Sequence, residues 1–142
     1  MALNPRVTAA LRKLQMDAII ASCASGILRV MSNAGAQPAT PEASIGSAVV
    51  LAELVMGSPA FTAVAAVASA DYVLAATAIT PDASANASGT ASWFRLWNAA
   101  GTTALFDGTV GVGAGFDLSI NAVAIVAATT VSATGMSITM AA

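Results

Sequence analysis

Between positions 90 and 111 the chain reads Thr90-Ala-Ser-Trp-Phe-Arg-Leu-Trp-Asn98, Ala99-Ala-Gly-Thr-Thr103, Ala104-Leu-Phe-Asp-Gly-Thr-Val-Gly111. Two β-prone runs flank a short Ala/Gly/Thr segment, which is the pattern of a hairpin with a loop of roughly three to five residues. Side chains alternate between the two faces of a strand. Trp93, Arg95 and Trp97 therefore share one face, and Phe94 and Leu96 the other. A register that sets Arg95 beside Asp107 gathers Phe94, Leu96, Phe106 and Val110 on a purely apolar face. The opposite face then carries both tryptophans around an Arg–Asp pair. Few arrangements other than a packed β-layer accommodate this alternation.

Composition narrows the class of molecule. The chain has 142 residues, enough for one domain with its own core. It is 57% hydrophobic but only 8% charged, against a usual charged share of about 25%. Because 36 residues are Ala, that hydrophobicity is carried largely by small side chains. A surface covered by neighbouring subunits accounts for the low charge, and so does a neutral Ser/Thr/Asn surface. Disorder is excluded, since disordered chains are charged and poor in aliphatic residues. A net charge of −2 with five basic residues argues against nucleic acid as a partner, because phosphate binding needs clustered Lys and Arg. No apolar run approaches the ~18 residues of a membrane span, so no membrane is expected as a partner. Ile19-Ile-Ala-Ser-Cys23 loosely matches a lipoprotein cleavage box. Gln15 and Asp17 interrupt the apolar run that an export signal requires, and the expectation is against one.

In order along the chain, Asn4-Pro5 has the form of a helix N-cap and first turn. Val7, Ala10, Leu11, Leu14, Ala18 and Ile19 then follow helical spacing, predicting a helix over about 5–22 that ends at Ser25-Gly26. Its apolar stripe must cover either its own β-core or a neighbouring subunit. Ile27-Leu-Arg-Val-Met31 is a short strand, 32–47 a long loop punctuated by Pro38 and Pro41, and 48–56 a second strand whose Glu53 points to solvent or a partner. Residues 60–70 suit a thin strand or a helix, with strand favoured by context. Tyr72 to Thr80 is a clearer strand, 81–89 a polar loop, Gly111 to Gly115 a turn, and 116–120, 121–126 and 129–140 supply the last strands. Strands at this spacing predict a mainly β fold, a β-sandwich or jelly-roll-like domain over 26–142 with one N-terminal helix or arm over 1–25.

Catalytic chemistry is thin. There is no His and only one Cys, which removes the usual zinc sites and Cys–His nucleophiles. Gly111-Val-Gly-Ala-Gly115 lacks the Lys-Ser/Thr and following helix of a phosphate loop. Asp71, Asp82, Asp107 and Asp117 fall near strand ends, where Asp is an ordinary turn former. No enzyme activity, cofactor or metal is expected. The Trp93/Arg95/Trp97 face has three readings. It is a second buried face packed against the N-terminal helix with Arg95 neutralised by Asp107, a contact patch of the kind Trp and Arg dominate, or a sugar-binding platform.

The run Ile79-Thr-Pro-Asp-Ala-Ser-Ala-Asn-Ala-Ser-Gly-Thr-Ala-Ser-Trp-Phe-Arg-Leu-Trp97, with Gly101-Thr, Phe106-Asp-Gly-Thr-Val110 and Phe116-Asp-Leu118, resembles small virion structural proteins of tailed bacteriophages, most closely capsid cement (decoration) proteins. The resemblance covers about 27–140 and leaves out the N-terminal helix. It implies a non-enzymatic β-sandwich or jelly-roll protein on the exterior of an icosahedral capsid. Its implied partners are the major capsid protein and itself, as a homodimer or other homo-oligomer, and it would be made in the host bacterial cytoplasm. Burial across subunit seams fits such a role, with the loop bearing Pro38 and Pro41 and the chain ends as arms, and the sandwich face or the helix bearing Leu11 and Leu14 as a surface for self-association at a two-fold axis. A phage tail-tip or carbohydrate-binding module using Trp93 and Trp97 is the alternative.

Overall fold

The computed structural model describes residues 7–64 and 72–140. One helix, α1 (Ala9–Cys23), is followed by strands β1 (Ile27–Ser32), β2 (Val50–Met56), β3 (Phe61–Val64), β4 (Tyr72–Ala76), β5 (Ile79–Thr80), β6 (Gly89–Trp97), β7 (Ala104–Gly111), β8 (Leu118–Ile120), β9 (Ala124–Ile125) and β10 (Ala133–Met140). The fold is mainly β with one N-terminal helix, as the spacing predicts. Strand pairing runs β3-β4-β10-β8-β7-β6-β1-β2-β5, with β9 joined to the side of β6.

Short links fold this path back on itself. β2 lies near one end of the path and β3 at the other, yet only residues 57–60 separate them. β4 and β5 are likewise at opposite ends, separated by residues 77–78. A flat sheet cannot satisfy both links, so the sheet curls into two layers, as strongly twisted sheets of this size do. The two links are cinched where they meet, with Thr77 N–H donating to the Ala60 carbonyl at 3.0 Å and Thr77 Oγ1 to the Pro59 carbonyl at 2.6 Å. β8 runs parallel to β7 but pairs only through Val110↔Leu118 and Gly111↔Ser119. Pairing that brief lets the turn at 112–117 replace the long crossover a parallel pair ordinarily needs.

The core fills the space between the layers. Leu28 and Val30 of β1, Leu54 of β2, Phe94 and Leu96 of β6, Val110 of β7 and Leu118 and Ile120 of β8 are buried together. Phe94 and Phe106 meet edge to face, centroids 5.9 Å apart.

The N-terminal helix departs from its predicted form at both its start and its facing. Asn4 and Pro5 lie outside the described residues. The helix begins at Ala9, because Thr8 is extended and its Oγ1 accepts from Leu11 N–H at 3.2 Å. It ends at Cys23, followed by Ser25 at positive φ. Gly26 follows because a Cβ there would sit 2.6 Å from the Trp97 carbonyl oxygen. The stripe turned inward is Met16 and Cys23 with Ile19 and Ile20, joined by the stem of Arg12. Val7, Leu11 and Leu14 are exposed instead. The helix is apolar on two opposite faces, and sequence periodicity marks the outer one as readily as the inner. Met16 and Cys23 belong to the same apolar cluster as the sheet, so helix and sheet share one core.

Smaller departures concern loops. The hairpin loop spans 98–103, closed by Asn98 Oδ1, which accepts from Thr102 N–H at 2.9 Å and Thr103 N–H at 3.2 Å. The predicted strand 72–80 breaks into β4 and β5 at the corner. Residues 61–64 are strand, as favoured, and 65–70 lie outside the described residues. No helix among the described residues is long and apolar enough to cross a membrane.

Candidate functional site

Four adjacent strands each carry one charged residue near their middle: Glu53 on β2, Arg29 on β1, Arg95 on β6 and Asp107 on β7. Pairing aligns them in a row across the outer face of the sheet, Glu53↔Arg29, Arg29↔Arg95 and Arg95↔Asp107. The last pair is the register that the alternation at 90–111 predicts. Like charges directly opposite each other repel, so the two central arginines are tolerated because each is neutralised from its outer side. Each also lies over an indole, Arg29 at 5.0 Å from the Trp97 centroid and Arg95 at 5.5 Å from that of Trp93.

The two ends of this ladder differ in what covers them. Residues 33–49 form a strap over the Arg95 end. Trp93 Nε1 donates to the Gly35 carbonyl at 3.0 Å, and Arg95 donates through Nη1 to the Ala43 carbonyl at 2.7 Å and through Nη2 to that of Thr40 at 3.4 Å. Ile45 and Ala48 pack with Met31 and Trp93 beneath it. Arg95 also grips Asp107 with two bonds, Nε to Oδ1 at 2.7 Å and Nη2 to Oδ2 at 2.8 Å. This two-pronged geometry makes the most of a guanidinium–carboxylate pair. Trp93 and Arg95 are each only 2% exposed.

At the Arg29 end the strap is absent and the hairpin loop comes close, where a Cβ at Gly101 would lie 3.7 Å from Arg29 Nη2. Arg29 Nε donates to Glu53 Oε1 at 2.6 Å, and the two side chains remain 27% and 42% exposed. Trp97 is half-buried, and Val55 beside them is exposed.

These positions sort the contact candidates. Trp93, Arg95 and Asp107 are enclosed within the chain, whereas Trp97 is half-buried at the open end, with its indole Nε1 turned inward. The face is buried at one end, as one reading has it, but its cover is the 33–49 strap and not the N-terminal helix. The helix lies on the core side, where Ile19 lines a cleft of about 540 Å³ with Phe94, Leu105, Phe106, Phe116 and Met136 and with the polar Asp107, Asp117, Ser137 and Thr139. With Trp93 closed off beneath the strap, the two indoles do not present one exposed platform. Pro38 and Pro41 are half-buried within the strap, among exposed neighbours. Leu11 and Leu14 are exposed on the helix. Arg29 and Glu53 complete the ladder, and a single central charge in each of four apolar strands is the signal that could have found them.

Asp82 and Asp117 are committed to structural bonds. Asp82 accepts from Glu53 N–H at 2.9 Å and Ser84 N–H at 2.9 Å, and Asp117 accepts from Thr109 N–H and Oγ1, each at 2.8 Å. Asp71 lies outside the described residues. No group of three or more His, Cys, Asp or Glu able to hold a metal occurs among the described residues. Cys23 is buried, which pushes its thiol pKa up from 9.0 to about 11, the opposite of what a nucleophile needs.

Compared with protein-family models, curated proteins and solved structures, the chain shows no match.

Proposed function

We propose that this chain is a non-enzymatic structural protein of a phage virion, one that binds the outside of the icosahedral capsid and cements major capsid protein subunits together. The observation that carries this reading is how the few charges are used. The ladder pairs Glu53 with Arg29 and Asp107 with Arg95, and Lys13 pairs with Asp17 on the helix. What remains outside is largely neutral, with Leu11, Leu14, Val49, Val55, Val112, Phe116 and Val126 exposed at scattered places along the chain. Such a surface suits a molecule surrounded by other subunits better than one alone in water. Asp82, Asp107 and Asp117 act as cross-links within the fold, which favours a structural role over acid–base work.

The 33–49 strap supports the same reading. Its exposed residues sit on a loop anchored by Trp93 and Arg95 through the carbonyls of Gly35, Thr40 and Ala43, a form suited to contact. The open ladder end, with Trp97, Arg29 and Val55, is a second contact surface whose composition matches interface hot spots. Purified virions provide the test. Hundreds of copies per particle, with particles lacking the chain falling apart at lower temperature, are the expected result. Absence from the particle, or a handful of copies, overturns the cement role, and the second of these outcomes favours a tail or tip location.

A further inference from the structure

We infer that the outer face of α1 is a pairing surface for a second copy of this chain, met antiparallel about a two-fold axis near Leu14. Leu11, Leu14, Ala18 and Ala21 follow the 3-4-3 spacing of a heptad seam, which at 100° per residue confines them to a sector of about 80°. This seam lies opposite the Met16/Cys23 stripe already buried in the core. Leu11 is 48% exposed and Leu14 64%.

The order of side-chain sizes along the seam specifies the occupant and its direction. Within the helix its N-terminal position is bulky (Leu11), its centre is Leu14, and its C-terminal half is small (Ala18, Ala21). A parallel copy would set bulk against bulk at one end and leave a gap between alanines at the other. An antiparallel copy centred on Leu14 sets Leu11 against Ala18 on either side of the Leu14 pair, large into small, as close packing requires. Charge agrees with shape. Lys13 and Asp17 flank the seam on one side and pair with each other at 2.7 Å. The same two-fold operation brings Lys13 of one copy within reach of Asp17 of the other, so the flanking charges complement themselves and repel no identical copy. The seam is short, well below the about 1,000 Å² of total area typical of a stable complex, so the pairing is reversible and depends on chain concentration. It stands whether or not the chain is a virion component.

Sedimentation equilibrium of the full chain, from low micromolar to near-millimolar concentration, tests this. The expected mass rises from one chain to two. Leu14→Glu weakens association at least tenfold while leaving the circular dichroism spectrum and melting temperature unchanged, because the side chain touches solvent and not the core. Leu14→Cys gives a disulfide-linked dimer on mild oxidation, since the axis sets the two residues face to face. Val126→Cys, similarly exposed at 59%, does not, and buried Cys23 gives no background. A single-chain mass at every concentration overturns the inference. So does association that Leu14→Glu leaves intact, or a Leu14→Cys chain that cross-links no better than Val126→Cys.

Discussion

Arg95 and Arg29 face each other across β6 and β1, each beside a carboxylate and over an indole, yet only one is enclosed. The side chains of Arg95 and Asp107 are 3% and 4% exposed, against 27% and 42% for Arg29 and Glu53. The strap makes the difference. It removes water from one pair, strengthening that pair's attraction and at the same time making it costly to leave either partner alone. The other pair stays in contact with solvent, where screening and side-chain entropy cancel most of its gain. Equivalent chemistry on one sheet thus serves as a fastener at one end and as open surface at the other.

The largest expected effect is at the enclosed end. Arg95→Ala leaves Asp107 buried without its cation and frees two strap carbonyls, so stability in urea unfolding should fall by ~3–5 kcal/mol. Proteolysis should then gain cleavage sites at 36–44 that the parent resists. A loss under about 1 kcal/mol would mean that the strap does not seal the pair.

The next contrast is between covered and open faces of the helix. The thiol of Cys23 has a folded pKa raised to about 11 from 9.0. Both folded and unfolded chains carry a neutral thiol below pH 9, so this group has no pH effect there. Above it the unfolded chain ionises first, and stability should drop as pH rises from 9 towards 11. Cys23→Ala should remove that part of the decline. In the native chain Cys23 should resist a thiol reagent that rapidly labels Leu14→Cys; equal labelling rates would contradict its burial.

Trp93→Phe keeps most of the ring but deletes the bond to the Gly35 carbonyl, costing about 1 kcal/mol. Hydrogen exchange in the strap should quicken more than exchange in β6. The smallest effect is at the open end. Arg29→Ala should cost ~0–1 kcal/mol, and most of that should vanish in high salt. A loss as large as that of Arg95→Ala would show that the open end is covered in solution, by a second copy or another partner.

The sequence alone determines a good part of this. Alternation along 90–111 assigns each side chain to a face, and the opposite charges of Arg95 and Asp107 select the register that the strands adopt. Helical spacing before residue 23 announces α1, and the absence of His removes whole classes of chemistry. These are local properties, fixed by the two-residue repeat of a strand, the 3.6-residue repeat of a helix, or the presence of a functional group. What only the tertiary structure decided is which surfaces are covered. The strap is fastened through the carbonyls of Gly35, Thr40 and Ala43, groups that every residue carries, so no residue type marks the place where it docks. The helix offers two apolar stripes of similar strength, and the choice between them is made by the space that Met16 and Cys23 fill in a core assembled from distant strands. Burial is a long-range outcome, and it alone separates Arg95 as a fastener from Arg29 as open surface.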